Sequence, residues 1–267
     1  MKNRKSTILQ RQNKILEYLH TYPDSKIDTI AQHFNVSSST IRRDLLLLQR
    51  NNEIEKSFTG RSCNRVPALP NLDSERYYMC NIEEKKAIAK RAAQFLEPDD
   101  TIFINSSSTA LEIYQFIEDI HVNIITNNGR SLQQNHGSNI SLFLTGGEVQ
   151  KRHSANARLY LGGSYALNTI NQIAASKCIL GVSGISASFG LSSMMPEDPV
   201  LNQAMITHCT GPVIVVADHR KVGIAHNFHF GRLEDISIFI TDSASDPGEL
   251  ERIRAAGVEV IVVDVDD

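Results

Sequence analysis

The sequence predicts an α/β chain in two parts, a small N-terminal winged helix-turn-helix followed by a mostly parallel α/β domain. Three observations carry that expectation. The first sixty-six residues hold three short segments with apolar residues at helical spacing and then two strand-like runs. Beyond them, short apolar strands alternate with helices. Charge divides at the same place: residues 1–65 contain 12 Lys+Arg and 6 Asp+Glu, a balance of +6, whereas the remainder contains 15 and 24, a balance of −9. A small basic segment on a larger acidic body suggests a polyanion-binding module joined to something else.

In the first part, Ile8, Ile15, Leu16 and Leu19 recur near helical spacing, and "TYPDSK" ends that helix with a proline and turn formers. A second short helix through "IDTIAQHF" puts Ile27, Ile30, Ala31 and Phe34 on one face, until "NVS" interrupts the pattern. From Ser38 a third helix carries Ile41, Leu45 and Leu48 as its buried stripe, at i, i+4 and i+7. "EIEKSF" and "CNRV" around "TGRS" read as the hairpin behind them. Two prolines and little periodicity then mark a linker, so the boundaries fall at 1–60 for the helix-turn-helix, 61–75 for the linker and 76–267 for the α/β part.

The second part reads in order as a helix ("EEKKAIAKRAAQFL"), a strand ("TIFIN"), a helix ("TALEIYQFI") and three strands ("VNIIT", "ISLFLT", "KCILGVSG"). A helix ("DPVLNQAMITHC"), two strands ("PVIVVAD", "ISIFITD"), a helix ("GELERIRAAG") and a last strand ("VEVIVVD") complete it. That alternation calls for a parallel sheet with helices on both faces.

Composition narrows the class further. The 267 residues are 41% hydrophobic and 21% charged, as in soluble globular proteins, and no apolar run approaches the ~18 residues of a membrane span. The opening "MKNRKSTILQRQNK" lacks the apolar core of a signal peptide, so a cytoplasmic location and no membrane partner are expected. Cys63, Cys80, Cys178 and Cys209 are too scattered for a C-x-x-C pair, and reduced thiols are expected. "HNFH" spaces His226 and His229 three apart but brings no third ligand, so neither a metal nor another cofactor is expected.

Two stretches share four letters, "VSSSTIRRDL" and "INSSSTALEI". In the first, the buried stripe leaves Ser38, Ser39, Thr40, Arg42 and Arg43 toward the front or flank of a helix start. Unpaired N–H groups and the helix dipole favour a phosphate there, and paired arginines supply the forked donors that read guanine in a major groove. The alternative is that Ser37 or Ser38 only caps the helix, which is worth about 1 kcal/mol. The combination with a tight turn, paired arginines and a hairpin carrying Lys56 and Arg61 favours DNA.

The stretch "RQNKILEYLHTYPDSKIDTIAQHFNVSSSTIRRDLLLLQRNNEIEK" resembles the N-terminal domain of DeoR-type bacterial transcriptional regulators, marked by a "vS..TIRRDL..Le" recognition helix. The resemblance implies that Ser37, Thr40, Arg42 and Arg43 lie at or near operator DNA, and Ser38, Ser39 and Lys56 complete the expected DNA-binding set. One departure stands in the wing, where the family's "r.hGGa" is replaced by "EKSFTGRSC" with a single Gly60.

The second serine run follows a strand and precedes a helix, which in an open parallel sheet places it at the carboxyl edge where ligands bind. Its hydroxyls and free N–H groups suit a phosphate monoester; capping is again the alternative. Other polar clusters end other strands: Thr126, Asn127 and Asn128; Thr145, Gly146 and Gly147; Ser183 and Gly184; and "ADHRKVG" with Lys221. Several such clusters at one edge form a pocket in which Lys221 fixes an anion.

From "ERYYMCNIEEKKAIAKRAAQFL" to "ITDS" the chain resembles the sugar-phosphate-sensing domain of the same family, similar in fold to ribose-5-phosphate isomerase. The resemblance implies an effector site formed by Ser106, Ser107, Ser108, Thr109, Asn127, Asn128, Gly146, Gly147 and Lys221, with Glu197 binding sugar hydroxyls. Departures are visible. Asn105 and Ser107 stand where many members have the Asp and Gly of "DxGTT", Asn202 where a Lys is common, and His219 and Arg220 where "SS" is usual. An altered ligand specificity is expected from them.

The expected function is thus a DeoR-type transcriptional regulator, a repressor of a carbohydrate-utilisation operon released by a phosphorylated sugar or related metabolite. Its partners are an operator duplex, that metabolite, and a second copy in a dimer or tetramer, since paired recognition helices read spaced half-sites. The alternative is an isomerase-like enzyme with an accessory nucleic-acid-binding domain, using Glu197 as base and Lys221 as electrostatic partner; fold likeness alone does not carry that activity. "GVSGIS" lacks the G-x-S-x-G elbow of a serine hydrolase.

Overall fold

The structure is a computed structural model that describes residues 81–134, 137–150 and 159–265, and in the N-terminal part residues 14, 15, 18, 27–34, 36–38, 40, 41, 44 and 45. The chain divides into two compact units, Met1–Asp73 and Ser74–Asp267.

In the first unit Lys14, Ile15 and Tyr18 are helical, α1 spans Ile27–His33, and Ser38, Thr40, Ile41, Asp44 and Leu45 are helical again. Apolar residues at helical spacing must share a face, and they do: Ile15, Ile30, Ala31, Ile41 and Leu45 form one buried cluster, with Tyr18, Ile27, Phe34 and Val36 packed around it. The Val36 N–H closes on the Ala31 carbonyl at 3.0 Å, making the tight turn before the next helix. The expected hairpin and linker, and with them Ser39, Arg42, Arg43 and Lys56, lie outside the described residues.

The second unit opens with α2 (Ile82–Ala93), then β1 (Asp100–Ile104), α3 (Ser108–Leu111) and β2 (Val122–Thr126). There follow β3 (Ile140–Leu144), β4 (Glu148–Gln150), β5 (Tyr160–Gly162), α4 (Gly163–Asn171) and β6 (Lys177–Gly181). Next come β7 (Gly184–Ser186), β8 (Gly190–Ser193), α5 (Asp198–Thr207) and β9 (Val213–Val216). The unit closes with β10 (Phe228–Gly231), β11 (Ile238–Asp242), α6 (Pro247–Ala255) and β12 (Glu259–Val263).

Seven strands form one sheet in the order β12-β11-β9-β6-β1-β2-β3, every neighbouring pair parallel. Its central strands are buried on both faces, which is why they read as continuous apolar runs. Ile102, Ile104, Ile124, Ile179, Ile214 and Ile240 meet α2 and α3 on one face, while Phe103, Ile125, Leu180, Val215 and Phe239 meet α4, α5 and α6 on the other. β10, β8 and β7 make a small antiparallel sheet, and β4 pairs with β5.

Three expectations need correction. The helix through "TALEIYQFI" is one α-turn that tightens into a 3-10 segment at Glu112–Phe116, so its dipole is smaller than a full helix would supply. The strand through "KCILGVSG" stops at Gly181, and the chain turns into β7, which pairs antiparallel with β8. Helix α4 was not expected, because "GSYALNTIN" buries only Ala166 and Ile170, four apart, too few for a readable apolar stripe.

The chain leaves β1 for β2 and β3, then returns to β6 on the other side of β1 and continues outward. Strand order therefore reverses between β1 and β6, and it is outside the carboxyl ends of the strands at such a point that open α/β sheets have their ligand crevice. The amino ends are closed by polar contacts instead: buried Lys177 reaches Asp100 at 2.7 Å and Glu97 at 2.9 Å, and the Ser176 hydroxyl donates to Asp100 at 2.6 Å. Burial raises the Asp100 pKa, but those hydrogen bonds outweigh it and hold the carboxyl below its ordinary value. No helix among the described residues is long and apolar enough to cross a membrane.

Candidate functional site

At the reversal point, Asn105 leaves the end of β1 and clasps the end of β6. Its Oδ1 accepts from the Gly181 N–H at 3.0 Å and its Nδ2 donates to the Gly181 carbonyl at 2.8 Å, so one side chain satisfies both backbone groups of the glycine. The same Nδ2 donates to Asn202 Oδ1 of α5 at 3.1 Å. The second serine run is thus laid across β6: a methyl built on Gly181 would stand 1.8 Å from Ser107 Oγ. Only glycine admits that approach.

Ser107 is a helix cap. Its Oγ accepts from the backbone N–H of Thr109 at 3.1 Å and of Ala110 at 3.3 Å. Ser106 and Thr109 are buried, and Ser108 is half-buried. Asn128 ties the next loop to this one, donating to the Ser107 carbonyl at 3.4 Å while its Oδ1 accepts from the Arg130 N–H at 3.1 Å. Asn127 is different: it is 1% exposed, and neither its Oδ1 nor its Nδ2 has a hydrogen-bond partner among the described residues. A buried amide left bare costs about 1–3 kcal/mol, so Asn127 needs a polar partner, whether a water or a ligand.

Lys221 ends a 3-10 turn, His219–Lys221, that follows β9. The turn is held by two buried carboxylates. Asp218 accepts from Arg220 Nε at 2.8 Å and Nη2 at 3.0 Å; Asp242, at the end of β11, accepts from the His219 N–H and pairs with His219 Nδ1, both at 2.8 Å. Burial raises the pKa of Asp218, yet the Arg220 hydrogen bonds and the neighbouring charges of Arg220, Lys221 and Lys85 hold it below the ordinary value. His226 lies close enough to Lys221 to feel it: burial first, then that positive charge, lowers its pKa, while its ring is hydrogen-bonded to the Ser183 backbone just past β6. Val222, the residue after Lys221, bridges Ile185 of β7, and the Gly223 N–H donates to the Ile185 carbonyl at 2.8 Å, so the turn lies against the strand that follows β6.

The other expected residues sit farther out. Gly146 and Gly147 have φ of 70° and 98° and turn β3 into β4, two strands from β1, where a methyl on Gly147 would meet the Gly162 carbonyl at 2.1 Å. Glu197 precedes α5 and is half-buried; its carbonyl accepts from the buried Tyr160 hydroxyl at 2.9 Å. A depression of about 660 Å³ lined by Tyr114, Ile117, Glu118, Asp119 and Asn139 lies at the amino edge, away from these groups. No group of three or more metal-ligating side chains gathers among the described residues.

In the N-terminal unit, Ser37 caps the third helix: the Thr40 N–H donates to its Oγ at 3.2 Å, and the two hydroxyls stand 2.8 Å apart. Ser37 is exposed and Ser38 and Thr40 half-buried, so the hydroxyls at this helix start reach the surface.

Residues 80–243, more than half of the chain, match the DeoR C terminal sensor domain, and residues 11–65 match the DeoR-like helix-turn-helix domain. The chain belongs to the DeoR family. It is 28% identical to the uncharacterized HTH-type transcriptional regulator YulB of Bacillus subtilis, over 96% of this chain and 97% of that protein. The DeoR-family chain is also 27% identical to the HTH-type transcriptional repressor GlcR of Bacillus subtilis, over 95% of each, and 25% identical to the lactose phosphotransferase system repressor of Staphylococcus epidermidis, over 94% of this chain and 98% of that one. Ribose 5-phosphate isomerase A of Methanocaldococcus jannaschii superposes with a TM-score of 0.37 at 14% identity, covering 53% of this chain and 54% of that one. Nothing of this chain's chemistry follows from that likeness.

Sequence reasoning on this DeoR-family chain missed Lys85, which is 2% exposed and acts by its charge on Asp218. A signal was there: Lys85, Ile88, Ala89 and Ala92 stand at i, i+3, i+4 and i+7, so a lysine occupies a place in the buried stripe of α2. Asn202 was seen only as a departure, with no sign that it touches Asn105, 97 positions away.

Proposed function

We propose that this DeoR-family regulator is an operator-binding repressor of carbohydrate-utilisation genes, acting in the cytoplasm, and that a phosphorylated sugar in the β1/β6 crevice releases it from DNA. The observation that carries the effector half is Asn127, a buried amide with two bare polar atoms at the point where strand order reverses. The serine loop beside it offers hydroxyls and backbone N–H groups to an anion, and Lys221 offers the charge. The GlcR and lactose phosphotransferase system relatives, both named as repressors, support the regulatory direction over the isomerase alternative.

In this reading residues 1–60 read the operator through Ser37, Ser38, Ser39, Thr40, Arg42, Arg43 and Lys56, residues 61–75 link, and residues 76–267 sense. Ser106, Ser107, Ser108, Thr109, Asn127, Asn128, Gly146, Gly147, Glu197 and Lys221 form the effector site, and a dimer or tetramer presents paired reading heads. Effector and operator favour different arrangements, so each weakens the other by the same factor.

The test is a thermal-shift screen against sugar phosphates, followed by operator binding in the presence of the best one. A ligand of the native state raises the melting temperature by mass action, and it should lower operator affinity. Lys221→Ala should lose both responses while binding the operator normally; a normal response in that variant removes the anion clamp from the proposal.

A further inference from the structure

A hydrogen-bond chain on the α5 side of the crevice carries information about how the sugar end of the effector is read, and it rests on the effector site proposed above. Asn105 is fully committed. Because the Gly181 N–H can only donate, Asn105 must turn Oδ1 toward it, which leaves Nδ2 for the Gly181 carbonyl and for Asn202. Asn202 must in turn offer its oxygen to Asn105. Its own NH₂ then faces away from that bond, and among the described residues it has no acceptor.

Register places Asn105, which holds this donor, next to the residue with the bare amide. Ile104 and Thr126 are partners across β1 and β2, so Asn105 and Asn127 are the next residues on adjacent strands, about 5 Å apart. Side chains alternate along a strand, and Phe103 and Ile125 both face α5, as does Asn105 through its bond to Asn202. Asn127 belongs to the same face by that alternation. Asn202 is 4% exposed on α5, one turn after Asp198, whose carboxylate accepts from the Ser193 hydroxyl at 2.7 Å.

We propose that Asn202 is a specificity-determining residue that, together with Asn127, hydrogen-bonds the hydroxyl end of a phosphorylated sugar, its NH₂ turned donor-outward by Asn105. Asn105 is the positioning residue and touches no ligand itself. Asn202 supplies only donors, so it selects an oxygen with a lone pair to offer; Asn127 supplies both a donor and an acceptor, which matches a hydroxyl. A phosphate without a sugar gains nothing from either.

Calorimetric titration and melting of the full chain test this with four probes: ribose 5-phosphate, glucose 6-phosphate, fructose 1-phosphate and inorganic phosphate. In Asn202→Ser, which is neutral and retains an oxygen near Asn105, the affinity for the best sugar ester relative to inorganic phosphate should fall at least tenfold, with ligand-free melting close to the wild type. An unchanged ratio overturns the inference. Should Asn202→Ser unfold, Asn202→Asp takes its place: its carboxylate still accepts from Asn105 but presents no donor, and an ester affinity within twofold of the wild type would equally overturn the inference. If none of the four probes binds the wild type, the effector reading falls and this inference with it; if Lys221→Ala loses all four while Asn202→Ser keeps the ratio, the effector reading stands and only the inference fails.

Discussion

The two serine runs begin alike and end differently. Ser37 and Ser107 each accept a hydrogen bond from a backbone N–H two or three residues on, so both open a helix by the same local device. After Ser37 the helix continues, with Ile41 and Leu45 buried in the small core of the N-terminal unit. After Ser107 a single α-turn gives way to a 3-10 segment, and the run itself lies across Gly181. The capping serine is thus spent in both places, so under the proposed function an anion would have to be held by each run's neighbours: at the first run the two arginines that follow in sequence, Arg42 and Arg43, and at the second the remaining hydroxyls and N–H groups of the loop with Lys221.

The largest expected effect separates the two ends of that comparison. Arg42→Ala combined with Arg43→Ala should lower operator affinity by about 1–3 kcal/mol for each base edge that goes unread and flatten its dependence on salt, leaving sugar-phosphate binding unchanged. Fluorescence anisotropy across a salt series measures both quantities. Operator binding as tight as the wild type, with the same salt slope, would take the arginines out of the interface.

Gly181→Ala should act on the other run alone. Its methyl would collide with the Ser107 side chain at 1.8 Å, and overpacking of this kind costs about 1–3 kcal/mol. The sensor unit should melt lower and respond less to sugar phosphate, while operator affinity in the absence of effector stays as it was. A variant that melts normally and still responds would show that the loop can lift from β6 without losing the site.

The difference between the runs also explains what could be read in advance. The N-terminal unit was legible because its cluster of Ile15, Ile30, Ala31, Ile41 and Leu45 is set by local spacing, and the parallel sheet was legible because doubly buried strands show as apolar runs. Long-range pairings were not. The bond between Asn105 and Asn202 spans 97 positions, and nothing in either neighbourhood announces the other. Seen singly, the two amides were departures from the family's Asp and Lys. In contact they are one neutral pair, which keeps the clasp on Gly181 without an ion pair. Likewise His219 and Arg220, which replace two serines of the family pattern, are each held by a buried carboxylate, Asp242 and Asp218. Those departures are built into the fold.

The smallest effect gives the sharpest test, because it asks whether a cap is only a cap. Ser37→Ala and Ser107→Ala should each cost about 1 kcal/mol of stability in their own unit. Aspartate caps a helix as well as serine does, so Ser37→Asp should melt like the wild type, yet its negative charge sits where a DNA phosphate is expected. If the first run grips phosphate, operator affinity must therefore rank wild type above Ser37→Ala and Ser37→Ala above Ser37→Asp, even though the last is the more stable variant. Equal affinity for the alanine and aspartate variants would reduce this run to a cap. No matching substitution exists at Ser107, where the contact with Gly181 leaves no room for a longer side chain. The exposed run can be probed by charge, whereas the packed one yields only to changes in its partners.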